Sequence, residues 1–517
     1  MALKKITACV MMTAMMAGLC GCFFENKAQS VDSSANKVVL KWALVSPEEQ
    51  KDSAEVWKKF NEELQKYIPD TTVEFECYSS KDYGERWKLM STSQEELDIV
   101  WSGWMIDYVS EVRKGSYMPL DNLIDKYAPD IKKEIPENML KKQQVDGRLY
   151  SIPCMQQMVS YVSSLAIDLE MYEKYRDSIN PDELAAYFGA RPKMDRQCWD
   201  KVEQYIAMLD KNGDLADGVT GFENHAEKGY EWVRNPYNIE DSGDDYTPMN
   251  YYRRPEYKLF IDTYSDWYKK GYIKQDSQMV KRGSNVKYAI RGIGNYLVGQ
   301  GYMPSETDIE EAAREGGRAY VQIPFCNSHY IPFAAAASSM AISSTCKNPE
   351  RAIKVIELMN TEKGKDLYNL LVYGIEGKHY KRIVGDDRII PVGYVNSAPT
   401  KNTPYGQFKW AVGNSFNAYE IYSETPNKVL EKDFIKKVND EARPSKLMGF
   451  TLNTDPIKTE LKQVDAVVSE YQTIFNTGAA ENVDAVYKEF VGKLVKAGDD
   501  KVCAEIKRQI DEWRSKE

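Results

Sequence analysis

The sequence predicts an α/β protein built on mainly parallel sheet, and three observations carry that reading. Short apolar runs alternate with amphipathic stretches of helical period between residues 38 and 101, the pattern of strands joined by crossover helices. Three amphipathic helices close the chain. The 517 residues suffice for two to four domains or lobes at roughly 100–200 residues each.

Taken in order, Val38-Val39-Leu40-Lys41-Trp42-Ala43-Leu44-Val45 reads as a buried strand. Ser46-Pro47-Glu48-Glu49 reads as a helix start, with a cap, a first-position proline and early carboxylates. Val56, Phe60, Leu64 and Tyr67 then recur at helical spacing. Thr72 to Cys77 is a second strand, Gly84 to Ser91 a short helix, and Leu97-Asp98-Ile99-Val100-Trp101 a third strand. Farther on, 147–153, 159–167 and 319–324 look extended, and Gln197 to Leu209 is helical. Ser338 to Ser343 is a strand, followed by a helix that Asn348-Pro349 caps. Ile457, Leu461, Val464, Val468, Tyr471 and Phe475 form one apolar stripe, and 483–495 and 502–513 form two more.

Composition excludes several classes. Against 78 acidic residues stand 68 Lys and Arg, a net charge of −10, with no basic cluster of the kind that phosphate backbones require; nucleic acid is not an expected partner. Hydrophobic residues make up 43% of the chain and mean hydropathy is −0.56, unlike a polytopic membrane protein or a disordered one. Three scattered histidines argue against a multi-histidine metal centre, and no cofactor or metal is expected. The rings are polar in kind, with 35 Tyr and 10 Trp against 15 Phe.

The N-terminus reads as an address. Lys4 and Lys5 precede an apolar stretch from Ile6 to Leu19, too short to span a bilayer but suited to a signal peptide. Leu19-Cys20-Gly21-Cys22 resembles a bacterial lipobox with Cys22 as the lipidated residue, and the polar run to Lys37 reads as a tether. Of nine cysteines, six then remain, with no C-x-x-C pair among them. Disulfides and free thiols both remain open.

Several motifs together carry a family resemblance. They are the lipobox and tether, Leu97 to Trp104, Tyr117-Met118-Pro119-Leu120-Asp121, Val145 to Pro153, and Ser338 to Ser344 with Asn348-Pro349-Glu350-Arg351. With Tyr373 to Tyr380, Trp410-Ala411-Val412-Gly413-Asn414 and Asn453-Thr454-Asp455-Pro456, the chain resembles extracellular solute-binding lipoproteins of bacterial ABC importers. The likeness is to the carbohydrate-type, maltose-binding-protein-like class, in a subgroup with an uncharacterised C-terminal region.

The resemblance implies a type II periplasmic-binding-protein-like fold: two α/β lobes, each a mainly parallel sheet flanked by helices, with a helical C-terminus, closing by hinge motion. The expected division is 1–21 signal peptide, 22–37 lipidated tether, 38–162 and 335–425 first lobe, and 163–334 and 426–517 second lobe. Crossings are expected near 160–167 and 325–337, with 332–337 as a hinge. The implied function is capture of a sugar or oligosaccharide and delivery to ABC permease transmembrane subunits. It implies a monomer lipid-anchored on the outer face of the cytoplasmic membrane, and no enzyme. The same fold holding a peptide or other polar solute is the alternative, and a secreted glycosidase-type lipoprotein is a lesser one.

Ligands of open α/β sheets bind beyond the carboxyl ends of strands, which points to Ser102, Trp104 and Asp107. A sugar needs an aromatic platform for its C–H face and polar groups for its hydroxyl rim. Asp52, Gln156 and Gln157 are further candidates, with Trp232, Asn295 and Tyr296 from the second lobe and Trp410 and Asn414 from the late crossing. Gly292-Ile293-Gly294 lacks the third glycine of a dinucleotide loop, and no phosphate-binding P-loop occurs. Asp210-Lys211-Asn212-Gly213-Asp214 begins like a calcium loop but lacks its later Gly and Glu, and reads as a turn.

Overall fold

Leu40, Trp42 and Leu44 of the first strand, β1 (Val38–Val45), pack into one core, and Ala43 and Val45 into another on the opposite face. A strand buried on both sides reads as a continuous apolar run because alternate residues point to opposite faces. The computed structural model describes residues 37–215, 218–220, 228–274, 288–304, 308–309, 312–313, 317–385, 388–395, 398–422 and 432–516. The expected signal peptide, Cys22 and the tether up to residue 36 lie outside them. Val38–Glu517 forms one compact unit, which carries the fold.

After β1 come α1 (Ser53–Leu64), β2 (Thr71–Tyr78), α2 (Tyr83–Thr92) and β3 (Ile99–Gly103). The first lobe's sheet runs β2, β1, β3, Ser338–Ile342, Ser151–Pro153. β1 pairs in parallel with β2 and β3, whereas Ser338–Ile342 runs antiparallel to both its neighbours. Gly103 is required where those strands meet, because a Cβ there would stand 2.1 Å from the Ala337 carbonyl oxygen.

The second lobe's sheet is Tyr320–Pro324, Val162–Asp168, Ile290–Tyr296 and Val219–Thr220, with two antiparallel pairings and one parallel. The two-lobed α/β fold is as expected, but the expectation of mainly parallel sheets is corrected. The first sheet is mixed and the second mostly antiparallel. Val162–Asp168 leaves the first lobe, and both neighbours return toward it, Tyr296 opposite Val162 and Pro324 opposite Ser164. Strands that go out and come back must oppose one another.

The first helix also starts later than expected. Ser46 ends the strand and its Oγ accepts from Glu48 N at 3.0 Å; Gln50 then donates to Thr400 O and accepts from Gly406 N, both at 2.9 Å. These long-range bonds hold 46–50 out of helix, and Asp52 takes the cap position.

Three helices, Lys458–Thr477, Val483–Lys496 and Asp499–Arg514, seal the second lobe. Phe475, Phe490, Leu494, Val502 and Ile506 join Trp199, Tyr257, Phe260 and Trp267 in one core. Their anchor is Asp499, fully buried, whose carboxylate accepts from Tyr237 Oη (2.9 Å), Asn250 Nδ2 (2.6 Å) and Arg253 Nη1 (2.7 Å).

Three segments cross between the lobes, side by side. Ser160 N donates to Tyr330 O at 3.0 Å, Tyr330–Ile331 pairs in parallel with Arg443–Pro444, and Ser445 N donates to Ile331 O at 2.9 Å. The helix Lys432–Glu441, on the second-lobe side of the expected boundary, places Val438 in a first-lobe core, and the third crossing follows it. His329 ties the crossings: its Nε2 accepts from Val298 N (2.8 Å) while Nδ1 donates to Ser160 O (2.7 Å). The six described cysteines are all free, and among the described residues no helix is long and apolar enough to cross a membrane.

Two measurements test these anchors. Asp499→Ala should cost roughly 2–5 kcal/mol, because it leaves the buried Tyr237 Oη and Asn250 Nδ2 without their acceptor while Arg253 keeps only Asp500; urea unfolding against wild type reads it. Burial holds the His329 imidazole below its ordinary 6.5, and a second ring proton would face the Val298 N–H. The unfolded chain therefore takes up that proton first, so stability falls as pH drops through and below 6.5. Melts between pH 7 and 5 should show this fall, shallower in His329→Asn.

Candidate functional site

A cavity of about 590 Å³ lies between the lobes. Asp107, Arg113, Lys114 and Lys142 line it from the first lobe, Phe333 to Ala335 from a crossing segment, and Arg234 and residues 450–462 from the second lobe. Its floor lies past the carboxyl end of β3, where the chain turns into the helix Tyr108–Arg113; Asp107 caps that helix, accepting from Ser110 N at 3.1 Å.

At the end of the same strand stands a ladder of rings. Trp104, three residues before Asp107, is 57% exposed although it lies at the end of a fully buried strand. Its ring meets Trp101 edge-on at 5.1 Å and Trp410 at 4.9 Å, and Trp410 stacks on Phe408 at 5.1 Å with an 11° tilt. Trp101, fully buried, donates from Nε1 to Ser338 Oγ (2.7 Å), and that hydroxyl donates to Trp410 O (2.6 Å). Trp104 N donates to Ala337 O at 3.1 Å. The platform is thus held by the core strand below it, leaving ring surface open for a ligand.

The remaining sequence candidates fall in different surroundings. Ser102 is in the core, its Oγ accepting from Tyr117 Oη at 3.3 Å and its carbonyl from Ser339 Oγ at 3.0 Å. Asn414 caps a 3-10 turn and donates to Asn360 O at 3.4 Å. Tyr296 is 2% exposed, while its neighbour Asn295 is exposed. Trp232 is half-buried against the second core, 5.7 Å from Tyr251. Gln156 and Gln157 are half-buried at the first crossing, where Asn439 Nδ2 donates to Gln156 O at 2.7 Å and Gln157 Nε2 to Val159 O at 3.3 Å.

Asp52 is committed to a partly exposed ion cluster, 3.2 Å from the buried His379 Nε2 and 3.3 Å from Lys378 Nζ. Desolvation works against its charge, but the His379 and Lys378 bonds outweigh that and hold the carboxyl below its usual range. His379 Nδ1 accepts from Ile375 N at 2.9 Å, so Nε2 carries the proton. The calcium-like turn is a helix end, with Asp214 salt-bridged to Lys174 at 2.7 Å. Among the described residues no group of His, Cys, Asp and Glu forms a metal cluster.

Sequence reasoning missed Phe408 and Lys142. An aromatic two residues before Trp410 was a usable signal. Lys142 had none, because Lys141-Lys142-Gln143-Gln144 reads as a solvated helix end. In the fold it is only 6% exposed, and among the described residues its ammonium has no hydrogen bond or salt bridge. Burial alone pushes it down to about 8.

The whole chain can now be set beside known proteins. It is 24% identical over 515 residues to a carbohydrate ABC transporter substrate-binding protein of Streptococcus pneumoniae, covering 99% of this chain and 98% of that one. The crystal structure of the N-glycan transport solute binding protein (NgtS) from Streptococcus pneumoniae superposes with a TM-score of 0.70 at 22% identity, covering 92% of this chain and 99% of that one. The fold is that of the solute-binding proteins. NgtS in complex with Man1GlcNAc scores 0.62 over the same shares of the two chains, and with Man5GlcNAc 0.59 over 93% and 99%, both at 22% identity. Residues 446–515 match a family described as a domain of unknown function, DUF3502. In this fold that stretch contains the end of the third crossing and the three sealing helices.

The buried ammonium gives a direct test. Its proton is lost near pH 8 in the folded chain and near the ordinary 10.5 when unfolded, so the unfolded state binds more protons between those values and stability rises with pH across them. The difference corresponds to as much as roughly 3 kcal/mol. Lys142→Met should raise the ligand-free melting temperature at pH 7 and flatten the rise between pH 8 and 10.5.

Proposed function

We propose that this chain is the extracytoplasmic substrate-binding component of an ABC importer for a sugar or oligosaccharide. The observation that carries the reading is the Trp104–Trp410–Phe408 ladder, whose Trp104 is exposed past the carboxyl end of β3 and lies three residues before Asp107 in the wall of an interlobe cavity. Rings so placed offer a face to sugar C–H groups. A peptide site would instead present an unpaired strand edge. The full-length likeness to a carbohydrate ABC transporter substrate-binding protein supports the same reading.

In this reading the ligand bridges the lobes and favours a closed state through contacts that exist only when the lobes meet. The three crossing segments act as the hinge. The closed form would dock on the permease transmembrane subunits and yield its cargo as they part the lobes. The chain would work as a monomer, tethered through a lipid on Cys22 to the outer face of the bacterial cytoplasmic membrane. No covalent step is needed, so it acts as a binding protein and not as an enzyme.

A thermal-shift panel of oligosaccharides tests this. The expected result is stabilisation by at least one saccharide with no product formed on long incubation; steady hydrolysis would sink the proposal. Trp104→Ala and Trp410→Ala should each weaken that saccharide by about 2 kcal/mol, roughly thirtyfold. Titration calorimetry reads the loss, and Trp104→Ala should barely move the melting temperature because its ring is mostly exposed.

A further inference from the structure

The interlobe cavity holds more positive charge than its own carboxylates neutralise. Six cations line it, of which three are already matched: Arg113 lies 3.5 Å from Asp146, Lys114 2.7 Å from Glu111, and Arg234 2.9 Å from Asp465. Lys142, Lys458 and Lys462 have no salt bridge among the described residues, against two lining carboxylates, Asp107 and Asp455. Asp107 already caps its helix.

One of the three is placed in a way that costs the ligand-free protein stability. An ammonium removed from water without a counter-charge is costly, and Lys142 is such a group, seated after the helix Glu137–Lys141 with its backbone N bonded to Asn138 O at 3.3 Å. Surrounding groups do not relieve it. Gln143 is engaged with Ser151 Oγ at 3.1 Å through its side chain and with Tyr108 Oη at 2.7 Å through its carbonyl. Lys458 opens the 20-residue helix Lys458–Thr477, at the positive end of its dipole where anions are welcome, and Lys462 stands one turn on; both are exposed. One lobe thus offers a buried unmatched ammonium, and the other a positive helix end carrying two more.

We infer that Lys142 receives the carboxylate of an acidic sugar, with Lys458 and Lys462 facing the same charge from the second lobe. The assignment rests on the carbohydrate-binding reading and narrows it to oligosaccharides that carry a uronate or sialate-type group. The physical argument is one of differential contact. A carboxylate supplies the missing counter-charge, and beside the buried Lys142 that attraction is stronger than in bulk water. Bridging two lobes with one anion would also draw them shut, since each lobe alone supplies only part of the charge.

The experiment is calorimetric titration of the full mature chain with paired probes: trigalacturonate against its carboxyl-reduced trisaccharide, and 3′-sialyllactose against lactose. Inorganic phosphate and acetate alone form a third arm. The expected result is that at least one acidic probe binds about tenfold or more tightly than its neutral partner. That preference should shrink as sodium chloride is raised and disappear in Lys142→Met. The exposed double variant Lys458→Gln/Lys462→Gln should lower it severalfold and serves as a second reading should Lys142→Met fold poorly. Equal affinity for acidic and neutral partners, unchanged by either variant, overturns the charge assignment and leaves carbohydrate binding standing. Binding of phosphate or acetate as tightly as the acidic saccharide overturns the assignment to a sugar. Failure of every saccharide, acidic and neutral, overturns the assignment and the carbohydrate reading beneath it.

Discussion

The architecture depends on three chain segments lying against one another between the lobes. Tyr330 is the centre of that arrangement: its carbonyl accepts from Ser160, and its strand pairs with Arg443–Pro444. Side-by-side backbone bonding resists sliding and twisting but permits bending, the freedom a hinge needs. Side chains reinforce it from both sides. His329 joins the first two segments to the loop at Val298. The fully buried Glu231, in the second lobe, accepts from Arg443, Ser445 and the Lys446 backbone. The two cores are largely separate, with Leu297 and Ile331 reaching into the first.

The cleft combines two kinds of surface that are rarely stable side by side. Exposed rings lose the hydrophobic stabilisation of burial, and Trp104 keeps its position only because Trp101 and Ser338 hold the strand end beneath it. A buried ammonium without a partner is worse still. Trp104 follows the end of β3, with Phe408 and Trp410 packed against the core beside it, and Lys142 lines the interlobe cavity after a short helix. Both features give up stability while the surrounding cores are close-packed, and the proposed ligand would recover part of it.

Much of the fold was legible because it follows from local pattern. The apolar run of β1, the periods of α1 and α2 and the stripe from Ile457 to Phe475 all correspond to observed elements within a few residues. The exceptions share one cause. Ser46-Pro47-Glu48-Glu49 has every local mark of a helix start, yet Gln50 is claimed by Thr400 and Gly406, some 350 residues away. Ser102 and Asn414 have side chains suited to sugar hydroxyls, but Tyr117, Ser339 and Asn360 lie close enough to engage these residues first. Trp104 and Trp410 were chosen for ring chemistry at a strand end and a late loop, and the fold sets their rings 4.9 Å apart.

By itself, the sequence determined which stretches are strand and which helix, that the rings are mostly of the polar kind, and that the chain resembles a two-lobed binder. These are matters of period and composition, decided within a few turns of chain. Only the tertiary structure decided strand direction, the course of the third crossing and the fate of each polar side chain. Strand direction depends on which lobe a segment leaves and which it enters, and burial depends on neighbours hundreds of residues distant. Lys142 shows the division most plainly. A lysine at the end of a short helix is ordinary in sequence, and only the meeting of residues 107–114, 333–335 and 450–462 around it turns it into a buried charge without a partner.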